Sequence, residues 1–153
     1  MDRSGLIAHI RRQFRLDWGG IHGARHWARV RHHGLRVGTM RGADLLVVEL
    51  FAFLHDSCRQ NDMIDPRHGD RAAEFARSLN GRFFDLDGRQ VDSLCTAIRG
   101  HSDGRVHEDV TIQTCWDADR LDLGRVGIVP RAEFLSVEAA TLIQEAAAWT
   151  TAG

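Results

Sequence analysis

Lysine is absent from this chain: all 20 basic residues are arginine. That excludes two chemistries. A phosphate-binding P-loop needs its lysine, and Schiff-base catalysis needs a side-chain amine. Cysteine is scarce: Cys58, Cys95 and Cys115 are odd in number and widely spaced, which fits reduced, mostly buried thiols and lacks zinc-ribbon spacing. Neither charge sign dominates; the formal net charge is -1, so nothing electrostatic points to nucleic acid or an anionic membrane. Long apolar runs are missing, because the longest is interrupted by Glu49 and is too short to span a bilayer. The first residues, MDRSGLIAHIRRQF, carry charge where a signal peptide needs an apolar stretch, so a cytoplasmic location is expected. The only β-branched patch, Val110 to Ile112, is too brief to argue for a sheet. At 153 residues the chain is read as one domain, 1-153, with enough length for a core without disulfides or structural metal.

What is present is helix and histidine. The organising stretch is Ala43 to Asp56, ADLLVVELFAFLHD, apolar on nearly every side, as befits a helix in the middle of a domain. It ends in His55-Asp56. A carboxylate there meets the negative end of the helix dipole and loses solvation beside the core, a placement that makes sense if a cation waits for it. Around it the spacing predicts further helices. The first is capped by Ser4, with Leu6, Ile7, Ile10 and Phe14 inward. The second runs from about His22 to Val37, with an apolar stripe of Trp27, Val30, Gly34 and Val37 beside a polar stripe of His22, His26, Arg29 and His33. A fourth begins with Asp65-Pro66 as cap and first-turn proline, buries Ala72, Phe75, Ala76 and Leu79, and stops at Asn80-Gly81. A fifth spans about Gly88 to Gly100 on Val91, Leu94, Cys95 and Ile98. The next, about Thr111 to Val126, carries Ile112, Trp116, Leu123 and Val126 on one face, and an alanine-rich helix from about 132 to 150 closes the chain. The expected architecture is all-α: a single compact helical bundle with a buried central helix.

Nine histidines matter because imidazole is the commonest metal ligand and titrates near neutrality. A dipeptide such as His55-Asp56 arises by chance and is weak alone. Its company strengthens it. His26 lies on the preceding helix, His68 and His101 end apolar stripes on later ones, and Asp119 falls on the stripe of Ile112 and Trp116. Each has a structural alternative: an edge histidine is ordinarily hydrogen-bonded, and Asp119 can pair with Arg120 or Arg125. His9, His32, His33 and His107 read as solvated surface residues. Polar side chains turned inward from separate helices are how bundles build metal centres.

Three blocks, HGARHWARV at His22 to Val30, FLHDSC at Phe53 to Cys58 and WDADRLDLGRVGI at Trp116 to Ile128, resemble the HD-domain superfamily of metal-dependent phosphohydrolases. HGDRAAEFA from His68 and AIRGHSDG around His101 extend the likeness over most of residues 20 to 130. The resemblance implies that His26, His55, Asp56 and a final aspartate bind a divalent ion (Mn, Fe, Co, Ni, Zn or Mg). Asp117 and Asp119 point about 200° apart on a helix, so only one faces the ion. The apolar stripe and the ADRL match favour Asp119, leaving Asp117 as a supporting or capping residue. In branches with two ions the aspartate of the HD pair bridges them, and His68 and His101 match the added ligands. Related sequences often read HDxxH in the first block, where this chain has Gly23 after His22.

The implied reaction is attack of a metal-activated water on phosphorus in a nucleotide or other small phosphate ester or anhydride. Asp56 or a nearby histidine manages the proton, and His22, one turn from His26, is a supporting partner or proton carrier. Arg25, Arg29 and Arg120 neighbour the expected ligands and offer guanidinium forks to phosphate, with Arg29 the favoured candidate and Arg25 read as a surface residue. Two other classes fit the same fold: a di-iron oxygenase, and a non-catalytic nucleotide-binding regulatory domain, whose mark would be loss of a metal ligand. Specificity is expected in the loops Ser57 to Ile64 and Ser102 to Asp109, and the final helix packs on the core or on a second subunit.

Overall fold

The computed structural model describes residues 1-151, and among them the regular structure is helical. In chain order the α-helices are α1 (Arg3–Gln13), α2 (Ala24–Arg41), α3 (Leu45–Leu54), α4 (His68–Leu79), α5 (Gly88–Gly100), α6 (Val110–Leu121), α7 (Val137–Ala140) and α8 (Ile143–Thr151). Short 3-10 turns at Leu123–Val126 and Ala132–Phe134 separate α6 from α7.

Aspartates start many of these helices, because a side-chain oxygen satisfies amide hydrogens that have no partner in the first turn. Asp44 accepts from Leu46 and Val47, Asp109 from Thr111 and Ile112, and Asp87 forms a reciprocal box with Gln90. The first helix is capped by Asp2, which accepts from the Gly5 amide, rather than by Ser4. The fourth starts at His68, three residues after Asp65. Asp65 is not its cap: its carboxylate takes the Gln60 amide at 2.8 Å and the Arg71 guanidinium at 2.6 Å instead.

α3 is the axis. Val47 to Leu54 are buried on every side, with only Leu45 exposed at its start. It packs between α2, α5 and α6, while α4 lies against α5. Glu49 is buried in α3, and Arg3 and Arg31 both bond it. α4 and α5 approach so closely that a Cβ on Gly69 would lie 2.9 Å from the Ile98 carbonyl oxygen. That contact sets the spacing of His68 and His101, which sit at adjacent ends of these two helices.

Other helix boundaries also differ from those the periodicity predicts, most clearly in α2, α6 and the final helix. α2 begins at Ala24, so His22 stands in the preceding turn. The chain folds back there, leaving 2.2 Å between the Trp18 carbonyl oxygen and a Cβ at Gly23, so no larger residue fits. α6 ends at Leu121 rather than near Val126, and Val126 is exposed while Asp122 is fully buried. The final helix is three pieces. Ser136 caps α7, and Asp117 takes both the Ser136 amide (3.0 Å) and hydroxyl (2.5 Å), fixing a break inside the alanine-rich stretch. These pieces pack on the bundle through Val37, Leu121, Ala139, Leu142 and Ala146.

Candidate metal centre

His55 and Asp56 follow directly on α3, whose helical backbone continues through His55. His26 comes from the first turn of α2, Asp119 from the last turn of α6, His68 from the start of α4, and His101 from just past α5. Their functional atoms meet. His26 Nε2 lies 3.0 Å from His55 Nε2 and 3.4 Å from Asp119 Oδ1. Both imidazole nitrogens are 3.6 Å from Asp56 Oδ2. The other oxygen, Asp56 Oδ1, faces the second pair: His68 Nε2 at 3.4 Å and His101 Nε2 at 3.5 Å, themselves 2.9 Å apart. One carboxylate therefore divides two histidine pairs between its oxygens.

The far sides of the rings decide what the near sides offer. His55 Nδ1 bonds the Phe51 carbonyl (3.1 Å), His68 Nδ1 the Asp65 carbonyl (2.5 Å) and His101 Nδ1 the Ile98 carbonyl (2.6 Å). A carbonyl oxygen only accepts, so each Nδ1 carries the hydrogen and each neutral ring turns a lone pair inward. His26 Nδ1 is held by Asp122 Oδ2 at 2.7 Å, the usual carboxylate support of a ligating imidazole. Lone pairs facing each other at 3.0 and 2.9 Å repel unless a cation or a proton lies between them. Asp119 Oδ1 is buried and has no hydrogen-bond partner, which is costly for an ionised oxygen. Two donors at right angles around one ion, each about 2.1 Å from it, would lie about 3.0 Å apart. Spacing, donor type and the orphaned oxygen all suit a divalent ion, and two donor groups can hold one: His26 with His55 and Asp119, and His55 with Asp56 and His101.

The charge states agree. Burial pushes His55 down to about 3, so it is neutral. Burial alone would raise Asp56, yet the surrounding imidazoles, His55 foremost, hold it well below the usual carboxylate range. Asp119 is likewise depressed, burial being outweighed by His26, His55 and Arg125. In the second pair, burial and His101 lower His68, while Asp56 raises His101 against its burial, so a proton on His101 is the alternative occupant of that gap.

Asp117 and Asp119 meet different partners. Asp119 turns to the histidines, while Asp117 is fully buried and spent on Ser136 and Gln113. Asp122 is not among the residues the sequence singles out, although its i, i+3 spacing from Asp119 places both carboxylates on one side of the chain. It also binds Arg29, whose Nε and Nη2 lie 2.6 and 3.2 Å from it. Arg29 is thereby committed to Asp122 and does not line the cavity described next. Arg25 is exposed on the surface. His33, read as solvated, is buried beside Trp149, because α8 covers that end of α2.

A cavity of about 400 Å³ opens onto Asp56, His101 and Asp119. Its polar wall includes His22, Arg59, Asp62, Arg120 and Arg125, and its apolar side Ile21, Leu123, Val126, Pro130 and Phe134. His22 Nδ1 bonds Asp62 at 2.7 Å, and burial lowers its pKa. Arg120 is a strut: its Nη groups donate to the carbonyls of Phe134 and Arg105.

Neither a family model nor a curated protein matches this sequence. A solved structure does: a predicted HD superfamily hydrolase from an uncultured Thermotogales bacterium superposes with a TM-score of 0.74 and 24% identity, over 98% of this chain and 87% of that one. Among the described residues no helix is long and apolar enough to cross a membrane. With its buried central helix ending in His55-Asp56 and His26, Asp119, His68 and His101 gathered around it, the chain shares the all-α fold of that predicted HD superfamily hydrolase.

Proposed function

We propose that this chain is a metal-dependent phosphohydrolase acting on a nucleotide or another small phosphate ester or anhydride. The observation that carries the reading is the inward-facing set of Nε2 lone pairs and ionised carboxylates of His26, His55, Asp56 and Asp119, at the floor of an arginine-bearing cavity. These four side chains would hold one divalent ion, and His68 and His101 with Asp56 Oδ1 would hold a second. Such an ion lowers the pKa of water toward neutrality and supplies a nucleophile at pH 7. Asp56 orients the floor of the site through both oxygens. Asp122, steadied by Arg29, keeps the hydrogen of His26 on Nδ1. His22, lowered by burial and bonded to Asp62, takes or gives the proton at the cavity wall. The apolar side of the cavity fits the carbon portion of the substrate.

The test is elemental analysis of the purified protein joined to a hydrolysis screen over nucleotides, dinucleoside polyphosphates, cyclic phosphodiesters and sugar phosphates, with products separated by chromatography. Bound divalent metal, hydrolysis of at least one of these phosphate compounds, and its loss in both His55→Ala and Asp56→Ala with helicity intact are expected. Full activity in either variant would overturn the assignment. Aerobic iron content together with oxygen uptake, and no hydrolysis of any phosphate compound, would move the reaction to oxygenase chemistry.

A further inference from the structure

Two guanidiniums bordering the cavity are held in the same unusual way. Arg125 donates Nε–H to the Ile21 carbonyl at 2.8 Å and Nη1–H to the Asp122 carbonyl at 3.0 Å. Arg59 donates Nε–H to Asp56 Oδ1 at 3.1 Å and Nη1–H to the carbonyls of Asn61 and Met63 at 3.2 and 3.4 Å. Both side chains are largely withdrawn from solvent, at 10% and 12% exposure. Among the described residues, Nη2 of each makes no hydrogen bond. Arg125 Nη2 lies 4.0 Å from Asp119 Oδ1 and Arg59 Nε donates to Asp56, so one guanidinium stands beside Asp119 and the other beside Asp56.

The remaining arginines nearby differ. Arg29 is spent on Asp122, Arg120 on two carbonyls, and Arg131 is 68% exposed with Glu133 as its partner. A long side chain ordinarily loses rotamer freedom when it grips a ligand. Arg59 and Arg125 have already lost it to fixed backbone oxygens, which leaves their free edges preorganised for an oxyanion.

We propose that Arg59 and Arg125 form a two-sided clamp for a tetrahedral phosphoryl oxyanion, one guanidinium on each side of the paired carboxylates Asp56 and Asp119. The clamp deepens the phosphohydrolase reading and rests on it for the identity of the anion. The pair also sets two positive charges against the two ionised aspartates of the cavity floor, which an incoming anion would otherwise meet alone.

Inorganic phosphate titrated calorimetrically into the manganese-loaded protein is the direct probe, with metal content measured on every variant. Arg59→Gln and Arg125→Gln are each expected to weaken phosphate binding about 10- to 100-fold, the effect of losing one charge-assisted contact. Metal content stays at the wild-type level, Arg125→Lys recovers part of the loss because charge returns without the fork, and Arg25→Gln at the surface changes nothing. Wild-type protein that fails to bind phosphate, glutamine variants that bind it as tightly as wild type, or affinity that falls only in step with metal content would each overturn the clamp. Phosphate held through these arginines by a protein that hydrolyses no phosphate compound leaves the clamp standing and overturns the hydrolase reading. Hydrolysis with an unchanged KM in both glutamine variants does the reverse.

Discussion

Asp122→Asn tests how His26 is made into a ligand. Asp122 is fully buried and accepts from His26 Nδ1 at 2.7 Å and from Arg29 Nε and Nη2 at 2.6 and 3.2 Å. Asparagine keeps the shape but replaces one oxygen with an NH₂ group. Either orientation then opposes two donors: the amide nitrogen meets Arg29 Nε, or it meets His26 Nδ1–H. In the second case the imidazole relieves the clash by moving its hydrogen to Nε2, and the inward lone pair is lost. In both cases the ring loses its ionised acceptor. Removing a carboxylate that supports a ligating histidine costs about 10- to 100-fold in metal affinity. The folded state also loses the counter-ion of a mostly buried arginine, about 3 kcal/mol, or roughly 6–12 °C in Tm for a chain of this size. Competition against a chromophoric chelator reads the affinity, and calorimetry with and without chelator separates the stability loss from the metal loss. A variant that binds metal as tightly as wild type would refute the claim that Asp122 sets the state of His26.

Asp117→Ala separates the two neighbouring aspartates. It removes the acceptor for Ser136 and Gln113, so a stability loss of about 2–4 kcal/mol is expected with metal content unchanged, whereas Asp119→Ala loses the metal. Metal loss from Asp117→Ala, measured by elemental analysis, would contradict this. His33 supplies a pH test away from the metal centre. Burial lowers it to about 4, helped by His32 and Arg29 and opposed by Asp122 and Glu145. Between that value and its ordinary 6.5 the unfolded chain binds the extra proton, so stability is full above pH 6.5 and falls as the pH drops toward 4, by up to about 3 kcal/mol. His33→Leu should flatten Tm against pH across that window; an unaltered slope would rule His33 out as the source.

Periodicity and capping made some elements readable. α5 falls at Gly88–Gly100 as predicted, because Val91, Leu94, Cys95 and Ile98 set its face and Asp87 with Gln90 closes its start locally. Where the deciding partner is distant in sequence, the reading failed. The break before α7 depends on Asp117 reaching Ser136 from α6, and no window around Ser136 contains that carboxylate. The end of α6 follows the burial of Asp122 against His26 and Arg29, on a helix nearly a hundred residues earlier. His33 looked solvated because the helix that covers it, α8, lies at the far end of the chain.

The sequence by itself determined that this is a helical bundle around an apolar helix ending in His55-Asp56, since side-chain spacing and local caps act over a turn or two. It also supplied the ligand candidates, because imidazoles and carboxylates on apolar stripes are expensive unless something pairs with them. Only the tertiary structure decided how those groups share work. It turned Asp119 to His26 and Asp117 to Ser136 at the start of α7, drew Arg29 away to Asp122, and set Arg59 and Arg125 in the cavity wall. Which oxygen or guanidinium is already engaged depends on partners brought together by packing, and that information is not local in the chain.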